Sequence, residues 1–270
     1  MRVFGKDDLV QDLRALGLEP GDGVFVHSAL GQIGHVVGGP RGLIEALIET
    51  VGPDGLIGMP GFSTDAYHPA EMMDLSLDAE TLAHIREQVP GYDPVLSSAR
   101  GNGSVPEAFR LWPGVVRSPH PTSSVLLLGP DAQSLAEPHD PFGWATGPQS
   151  PWGRLGGRSK MKILLIGVGW NRCSALHAAE SLARHRRLKM RHFKSGPGPD
   201  APWIEAPDVA DDLGRLFPSV GADWEMAGGT LRGLIGNAVA RLTDYGPLLA
   251  YASQWFDKRN RSDGVAPVDG

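Results

Sequence analysis

The first third of the chain alternates between helix-like and strand-like spacing of its apolar positions. Lys6–Leu16 has the spacing of an amphipathic helix, whereas residues 23–27 (GVFVH) form a short apolar run that predicts a buried strand. Pro40–Val51 is helical in pattern and begins with proline, which suits a first helical position because its missing N–H needs no partner there. Leu56–Pro60 predicts the next strand. The stretch GQIGHVVGG, before the second helix, predicts a flexible loop.

The clearest strands lie further along, at residues 124–128 (SVLLL) and 162–168 (KILLIGV). Both are almost entirely apolar, which is typical of central strands covered on both faces. Helices are predicted over 104–112, 174–186 and 246–257, a further strand over 231–240, and a frayed tail from Arg259 onward. We therefore expect an α/β fold with a mixed β-sheet flanked by helices. No stretch has the composition of a linker, so we expect a single domain over residues 1–270, with the loop- and helix-rich segment 61–122 capping the rest.

Composition narrows the class of protein. The 270 residues are 41% hydrophobic and 21% charged, which is typical of a folded soluble protein. The formal charge of −6 argues against nucleic acid as a partner and is compatible with a cationic small molecule. Cys173 is the single cysteine, which excludes an internal disulfide and fits a reducing compartment. No apolar run approaches the roughly 20 residues of a membrane span, and no signal-peptide pattern follows Met1, so we expect a cytoplasmic protein that does not bind membranes.

The most informative stretch is KILLIGVGWNRCSALHAAE, in which a buried strand leads through a glycine-containing turn into a helix. His177 and Glu180 are three positions apart, so they share one face of that helix. A carboxylate beside an imidazole fixes its tautomer and raises its basicity, which suits a general base. An exposed ion pair is the alternative. The position at the carboxyl end of a strand favours a site, because ligands of α/β sheets gather there.

Two other stretches carry candidate polar groups. In VHSALGQIGHVVGGPRGLIEALIETV, a strand ends at His27 and Ser28, and a glycine-rich loop then leads to a helix N-terminus, where an anion such as phosphate is favoured. This is neither a P-loop nor a GxGxxG fingerprint, and a structural turn is the alternative. In RSPHPTSSVLLL, His120 lies between two prolines and Ser123 and Ser124 precede the strand. A rigid turn with a hydrogen-bonded histidine is the alternative there.

Other chemistries find no support in the sequence. No HExxH, HxH or paired-cysteine motif occurs, so we expect no metal, and the absence of GxSxG argues against a serine hydrolase. The basic run RHRRLKMRH, residues 184–192, is interpreted as the solvated end of a helix, where cations meet the negative end of the dipole.

Together these stretches resemble the aminoglycoside 3-N-acetyltransferase family, which is distinct from the GNAT acetyltransferases. The matching signatures begin with GDGVFVHSALGQIG, VVGGPRGLIEAL and VGPDGLIGMPGF. They continue through GYDP, RSPHPTSSVLLLGPDA, LAEPHD, SPWGRLG, ILLIGV and SALHAAE to GLIGNAVARLTDY. The resemblance covers roughly residues 5–257, and several linked motifs are far more specific than any single one.

The resemblance implies acetyl-CoA as donor and an amine of a 2-deoxystreptamine antibiotic as acceptor. It makes His177 the general base, oriented by Glu180, and places Ser174 where it could donate to the developing oxyanion. The residues implied in binding the cofactor are His27, Ser28, Leu30, Gly34, Val37, Gly38, Gly39, Ser123 and Ser124.

The acceptor side is less defined, because residues 61–100 and 190–230 match the family pattern poorly. A polycationic acceptor predicts an acidic pocket, and the substrate-binding candidates are Asp65, Tyr67, Asp93, Glu107 and His120. Transfer to another amine metabolite, or CoA or sugar binding without catalysis, are the alternatives, and the retained His177 and Glu180 argue against the latter. The sequence leaves open whether the protein is a monomer or a homodimer.

Overall fold

A seven-stranded mixed sheet forms the centre of the protein. The computed structural model describes residues 2–68, 77–198, 200–209 and 214–268. In spatial order the strands are Leu231–Ile235 (β10), Ala238–Asp244 (β11), Met161–Ile166 (β7), Gly23–Ser28 (β2), Leu56–Pro60 (β4), Val125–Leu128 (β6) and Val116–Arg117 (β5). The strands β7, β2 and β4 are parallel, and an antiparallel pair flanks them on each side. The expected mixed sheet is confirmed.

The parallel centre brings functional segments to one edge of the sheet. The carboxyl ends of β2, β4 and β7 lie side by side, because β2 pairs with both of the others in parallel. The amino end of β6 lies at this same edge, since Pro60 at the end of β4 is paired with Val125. Residues that follow β2, β4 and β7, or precede β6, are therefore neighbours.

Helices cover both faces of this sheet. They are Lys6–Leu16 (α1), Leu30–Ile33 (α2), Pro40–Val51 (α3), Ala79–Gln88 (α4), Ser104–Arg110 (α5), Ala132–Ala136 (α6), Pro151–Gly157 (α7), Ala175–Leu182 (α8), Phe217–Met226 (α9) and Tyr245–Ser262 (α10). Val24 and Val26 pack into a core with α1, α3 and α5, whereas Phe25 packs into a second core with α7, α8, α9 and α10. Alternate residues of β2 thus face different helical layers, as the pleat of a strand requires.

Several predictions were wrong in ways that have a physical cause. The stretch after β2 contains helix α2 and a strand at His35–Val36 (β3), which pairs with Val3–Phe4 (β1), so it is an ordered segment and not a flexible loop. The single strand predicted over 231–240 is a hairpin, β10–β11, because Gly236 (φ +59°) and Asn237 turn the chain.

The C-terminal tail is also more ordered than expected. Helix α10 continues past Arg259 to Ser262. The side chain of Asn260 is buried and its Nδ2 donates to the carbonyl of His185 at 2.8 Å. Beyond the helix, the N–H of Val268 donates to the carbonyl of Arg184 at 2.9 Å. These contacts attach the tail to the segment that follows α8.

The basic run at residues 184–192 is the largest misinterpretation. Leu188–Lys194 is a strand (β8), which pairs antiparallel with Trp203–Val209 (β9) in a separate two-stranded sheet. Strand β9 packs against α8. Among the described helices, none is long and apolar enough to cross a membrane.

Candidate active site

The site lies where β7 leads into α8. After β7, Gly167 adopts φ +65°, and a 3-10 turn at Trp170–Arg172 precedes the helix. The Nδ1 atom of His177 lies 3.1 Å from Oε2 of Glu180, and the side chains are 19% and 12% exposed. The ring of Phe217 packs edge-on against the imidazole, with 4.7 Å between centroids. A carboxylate accepts hydrogen bonds, so the imidazole proton lies on Nδ1 and the basic lone pair on Nε2.

The end of β2 brings a second histidine close to this pair. His27 is 5% exposed, and it faces the α8 side of the sheet, as Phe25 does, with 5.4 Å between the two rings. Burial, with a smaller contribution from the nearby His177, lowers the pKa of His27 to about 3. His27 is therefore a neutral imidazole at physiological pH. Ser28, the next residue, faces the opposite helical layer.

The glycine-rich loop has the backbone conformations that only glycine adopts readily. Gly38 and Gly39 have φ of +78° and +58°, and Gly34 has φ of +110°. A Cβ on Gly42, in the first turn of α3, would lie 2.2 Å from the carbonyl oxygen of Val37. The loop therefore approaches its helix too closely for any side chain at that position. Leu30 begins the short helix α2 and is partly buried, and Val37 is 56% exposed.

The segment before β6 is densely hydrogen-bonded. His120 is 1% exposed, and its Nδ1 accepts from the backbone N–H groups of Thr122 and Ser123 at 3.2 and 3.1 Å, which places its proton on Nε2. Its ring lies 4.5 Å from that of His139. The hydroxyl of Ser124 donates to the carbonyl of Gly61 at 2.5 Å. Ser123 accepts from Trp152 Nε1 through its carbonyl at 2.9 Å.

The hairpin β8–β9 adds a buried ion pair that the sequence interpretation missed. Arg191 contacts the carboxylate of Asp208, which is 1% exposed, and the guanidinium also donates to the hydroxyl of Tyr67 at 2.6 Å. Burial raises the pKa of Asp208, and the nearby Arg191 and His177 lower it in part. Asp208 thus lies close enough to His177 for the two to interact electrostatically.

The other predicted residues have structural partners. Glu107 pairs with Arg110 at 2.9 Å and accepts from the N–H of Ala99 at 2.6 Å, and Asp93 accepts from two N–H groups in a loop, at 2.8 and 2.9 Å. Asp65 is half-buried, and its carbonyl accepts from Gly91. Ser174 precedes α8 and is half-buried. The structure thus places His177, Glu180 and His27 on one side of the sheet, and Tyr67 contacts Arg191 of the hairpin. Asp93 and Glu107 bond to neighbouring loop and helix residues instead.

The described residues contain no group of three or more His, Cys, Asp or Glu side chains that could hold a metal ion. Cys173 is fully buried beside α8, and burial raises the pKa of its thiol to about 12, so it is a poor nucleophile.

Comparison with known proteins identifies the family to which this chain is similar. The sequence model of a family described as aminoglycoside 3-N-acetyltransferase matches residues 25–257. Aminoglycoside N(3)-acetyltransferase VIII of Streptomyces fradiae is 35% identical over 267 residues, covering 93% of this chain and 91% of its own length. The structure of AAC-IIIb in a binary complex with CoASH superimposes with a TM-score of 0.83 at 30% identity, covering 96% of this chain and 98% of that one. AAC-VIa bound to sisomicin gives 0.84 at 32% identity, covering 96% and 99%. Since the match spans the strand ends, the glycine-rich loop and the His177–Glu180 helix alike, the chain belongs to the aminoglycoside 3-N-acetyltransferase family, whose named members are acyltransferases.

Proposed function

We propose that this protein transfers an acetyl group from acetyl-CoA to the 3-amino group of the 2-deoxystreptamine ring of aminoglycosides, which would confer resistance to them. His177 is the general base and Glu180 orients it. The observation that carries the proposal is the 3.1 Å contact between His177 Nδ1 and Glu180 Oε2 at the carboxyl edge of the sheet, in a chain of this family. That contact holds the ring in the tautomer whose basic nitrogen is Nε2.

The reaction needs one base and one path for the proton. The acceptor nitrogen attacks the thioester carbon, a C–N bond forms, and the C=O electron pair moves onto oxygen. His177 Nε2 takes the proton from the nitrogen. The carbonyl then re-forms, the C–S bond breaks, and the imidazolium returns the proton to the leaving thiolate. Glu180 stabilises the imidazolium while it lasts. Ser174, at the start of α8, is a further candidate to stabilise the oxyanion.

The donor side is supported by the end of β2 and the loop that follows it. The Oγ of Ser28 is buried and has no hydrogen-bond partner in the described part of the chain, so a ligand group can satisfy it. Gly38 and Gly39 precede the N-terminus of α3, and a backbone without side chains lets phosphates approach the free N–H groups there. The solved complex of AAC-IIIb with CoASH supports acetyl-CoA as the donor. His27, Leu30, Gly34 and Val37 complete the proposed donor site, and Ser123 and Ser124 lie further along the same sheet edge.

The acceptor side is proposed to lie between α8 and the hairpin β8–β9. A cationic acceptor is attracted by carboxylates, and Glu180 lies on this side. Asp208 is paired with Arg191, and Tyr67 and His120 lie near that arginine. The relative AAC-VIa was solved with sisomicin, which is consistent with an aminoglycoside here. Asp65 adds charge at the edge of this region.

The test is release of thiol from acetyl-CoA by purified protein with a panel of aminoglycosides. We expect release with some of them, and none when the acceptor lacks its 3-amine. His177→Ala should lose about 10²- to 10⁴-fold in rate, the usual contribution of a general base. Glu180→Gln should lose less, because it keeps an acceptor for Nδ1 but not the charge. His84→Gln, an exposed histidine on α4, is the matched control and should keep the wild-type rate.

The outcomes separate the alternatives. An unchanged rate in His177→Ala would remove His177 as the base. Measurable binding of acetyl-CoA with no release for any aminoglycoside would leave the donor site standing and point to transfer onto a different amine.

A further inference from the structure

The end of β2 contains a buried nitrogen that the protein itself does not satisfy. Nε2 of His27 is enclosed and has no hydrogen-bond partner among the residues that the structure describes. Most buried polar atoms in folded proteins have a partner, and an exception is commonly explained by a catalytic role or by a ligand. The neighbouring hydroxyl of Ser28 is in the same situation.

Strand geometry separates these two groups. Successive side chains of a strand point to opposite faces. Val26 belongs to the core shared with α1 and α3, and Phe25 to the core shared with α8. Ser28 therefore faces the layer of the glycine-rich loop, and His27 faces the layer of the base. His177 contributes electrostatically to the lowered pKa of His27, after burial, so the two imidazoles lie within range of an electrostatic interaction on this side of the sheet.

We propose that Nε2–H of His27 donates a hydrogen bond to the carbonyl oxygen of the acetyl thioester, which makes His27 a second catalytic residue. This inference rests on the proposed function, because the thioester carbon must lie within reach of the amine that His177 deprotonates. When the amine nitrogen bonds to that carbon, the C=O electron pair becomes an oxyanion. A donor already fixed in a buried position stabilises the oxyanion without reorganising. The C–S bond then breaks, the carbonyl re-forms, and the proton passes from His177 to the thiolate, so His27 gains and loses no proton.

The surroundings of His27 favour a donor over a second base. Its burial lowers its pKa to about 3, so the ring stays neutral and a poor proton acceptor across the working range of pH. A neutral imidazole carries one N–H, and a carbonyl oxygen at Nε2 selects the tautomer that donates there. The tilted Phe25 ring, 5.4 Å away, packs against one side of the imidazole and restricts its motion.

Two substitutions distinguish a donor from the other possible roles. His27→Phe removes the donor but keeps a ring, whereas His27→Gln keeps an N–H and cannot act as a base. We expect His27→Phe to lower kcat by about 10²- to 10³-fold, as the loss of one oxyanion donor does. His27→Gln should retain much more of the rate. The Kd for CoASH, which has no thioester carbonyl, should change far less than kcat in both variants.

Stability provides an independent control. Because Nε2 has no partner in the described protein, replacing it with carbon removes an unsatisfied polar group, and the Tm of His27→Phe should stay level or rise. A loss of kcat together with a large fall in Tm would point to a structural role. If His27→Gln is as slow as His27→Phe, the donor role is wrong. A weaker Kd for CoASH in His27→Phe, by the same factor as the loss in kcat, would place the contact on the pantetheine amides.

A spectroscopic readout separates this inference from the proposed function. With acetyl-CoA labelled with carbon-13 in the acetyl carbonyl, isotope-edited infrared spectra of the bound donor need no acceptor. The C=O stretch should lie at lower frequency in wild type and in His27→Gln than in His27→Phe. Such a shift without transfer to any aminoglycoside would overturn the proposed function and leave His27 as the donor. Transfer to aminoglycosides with identical stretches in all three proteins would overturn the inference alone.

Discussion

Three buried histidines should make the protein sensitive to mild acid. His27, His120 and His139 are 5%, 1% and 3% exposed. Burial lowers the pKa of His27 to about 3 and that of His139 to about 4, and it lowers the pKa of His120 well below its ordinary value. In the unfolded chain each of them titrates near 6.5. The folded protein therefore binds fewer protons than the unfolded chain between pH 6.5 and pH 4, so the free energy of unfolding falls as the pH falls through this window.

The size of this effect follows from the shifts. A histidine that is protonated only in the unfolded chain stabilises that chain by about 1.4 kcal/mol for each pH unit below 6.5. At pH 5 this amounts to about 2 kcal/mol for each such histidine. His27 and His139 together therefore destabilise the fold by about 4 kcal/mol, and His120 adds to this loss, which is a large part of the roughly 5–15 kcal/mol of a typical domain. At pH 7 the same residues contribute no such loss.

Urea unfolding measured from pH 7 to pH 5 tests this reasoning. Tryptophan fluorescence can report the transition, because the chain contains 7 tryptophans. The pH dependence near pH 5 should correspond to the uptake on unfolding of about two protons by His27 and His139, with a further contribution from His120. His27→Gln should lower that number by one. If the free energy of unfolding does not change across this pH range, or changes with pH equally in wild type and His27→Gln, then burial does not hold His27 neutral.

Three further predictions concern packing. Gly42→Ala places a methyl group against the carbonyl of Val37, so urea titrations should show a free energy of unfolding lowered by about 1–3 kcal/mol. An unchanged value would mean that the loop moves to accommodate the methyl group. Arg191→Ala leaves the buried carboxylate of Asp208 without its guanidinium partner, so the free energy of unfolding should fall by about 3–5 kcal/mol. The double variant Arg191→Met with Asp208→Leu should recover most of this stability, and a double variant as unstable as Arg191→Ala would refute the argument. Asn260→Ala removes the hydrogen bond between α10 and the segment after α8, so calorimetry should show a free energy of unfolding lowered by about 1–3 kcal/mol. An unchanged Tm would mean that this hydrogen bond does not contribute to stability.

The sequence predicted best those elements whose positions depend on apolar burial or on spacing within a single helix. Strands β2 and β7 are covered on both faces, so their residues are nearly all apolar and their positions were predicted within a residue or two. The spacing of His177 and Glu180 places them together on any helix, and the 3.1 Å contact confirms their pairing.

The hairpin β8–β9 shows why other parts could not be predicted. Along β8, Leu188 and Met190 are about half exposed, at 50% and 47%, while the side chain of Arg191 is only 12% exposed. This strand buries a cation and exposes apolar side chains, which reverses the usual pattern. The ion pair with Asp208 makes the reversal possible, and that partner lies on the other strand of the hairpin. Single-chain periodicity carries no information about such a partner. The family resemblance did not help either, because residues 190–230 match its pattern poorly.

The separation of this hairpin from the main sheet has a consequence for how the enzyme can diversify. Strands β8 and β9 form a ladder with each other, and among the described residues the backbone of β8 hydrogen-bonds to residues 66 and 68. His177 and Glu180, in contrast, are anchored through α8 to the parallel centre of the seven-stranded sheet. In the proposed acceptor site, substitutions in the hairpin would therefore change one wall while His177 and Glu180 keep their framework. Exchanging this hairpin for that of a relative is accordingly a direct way to change the proposed acceptor wall without moving the proposed base.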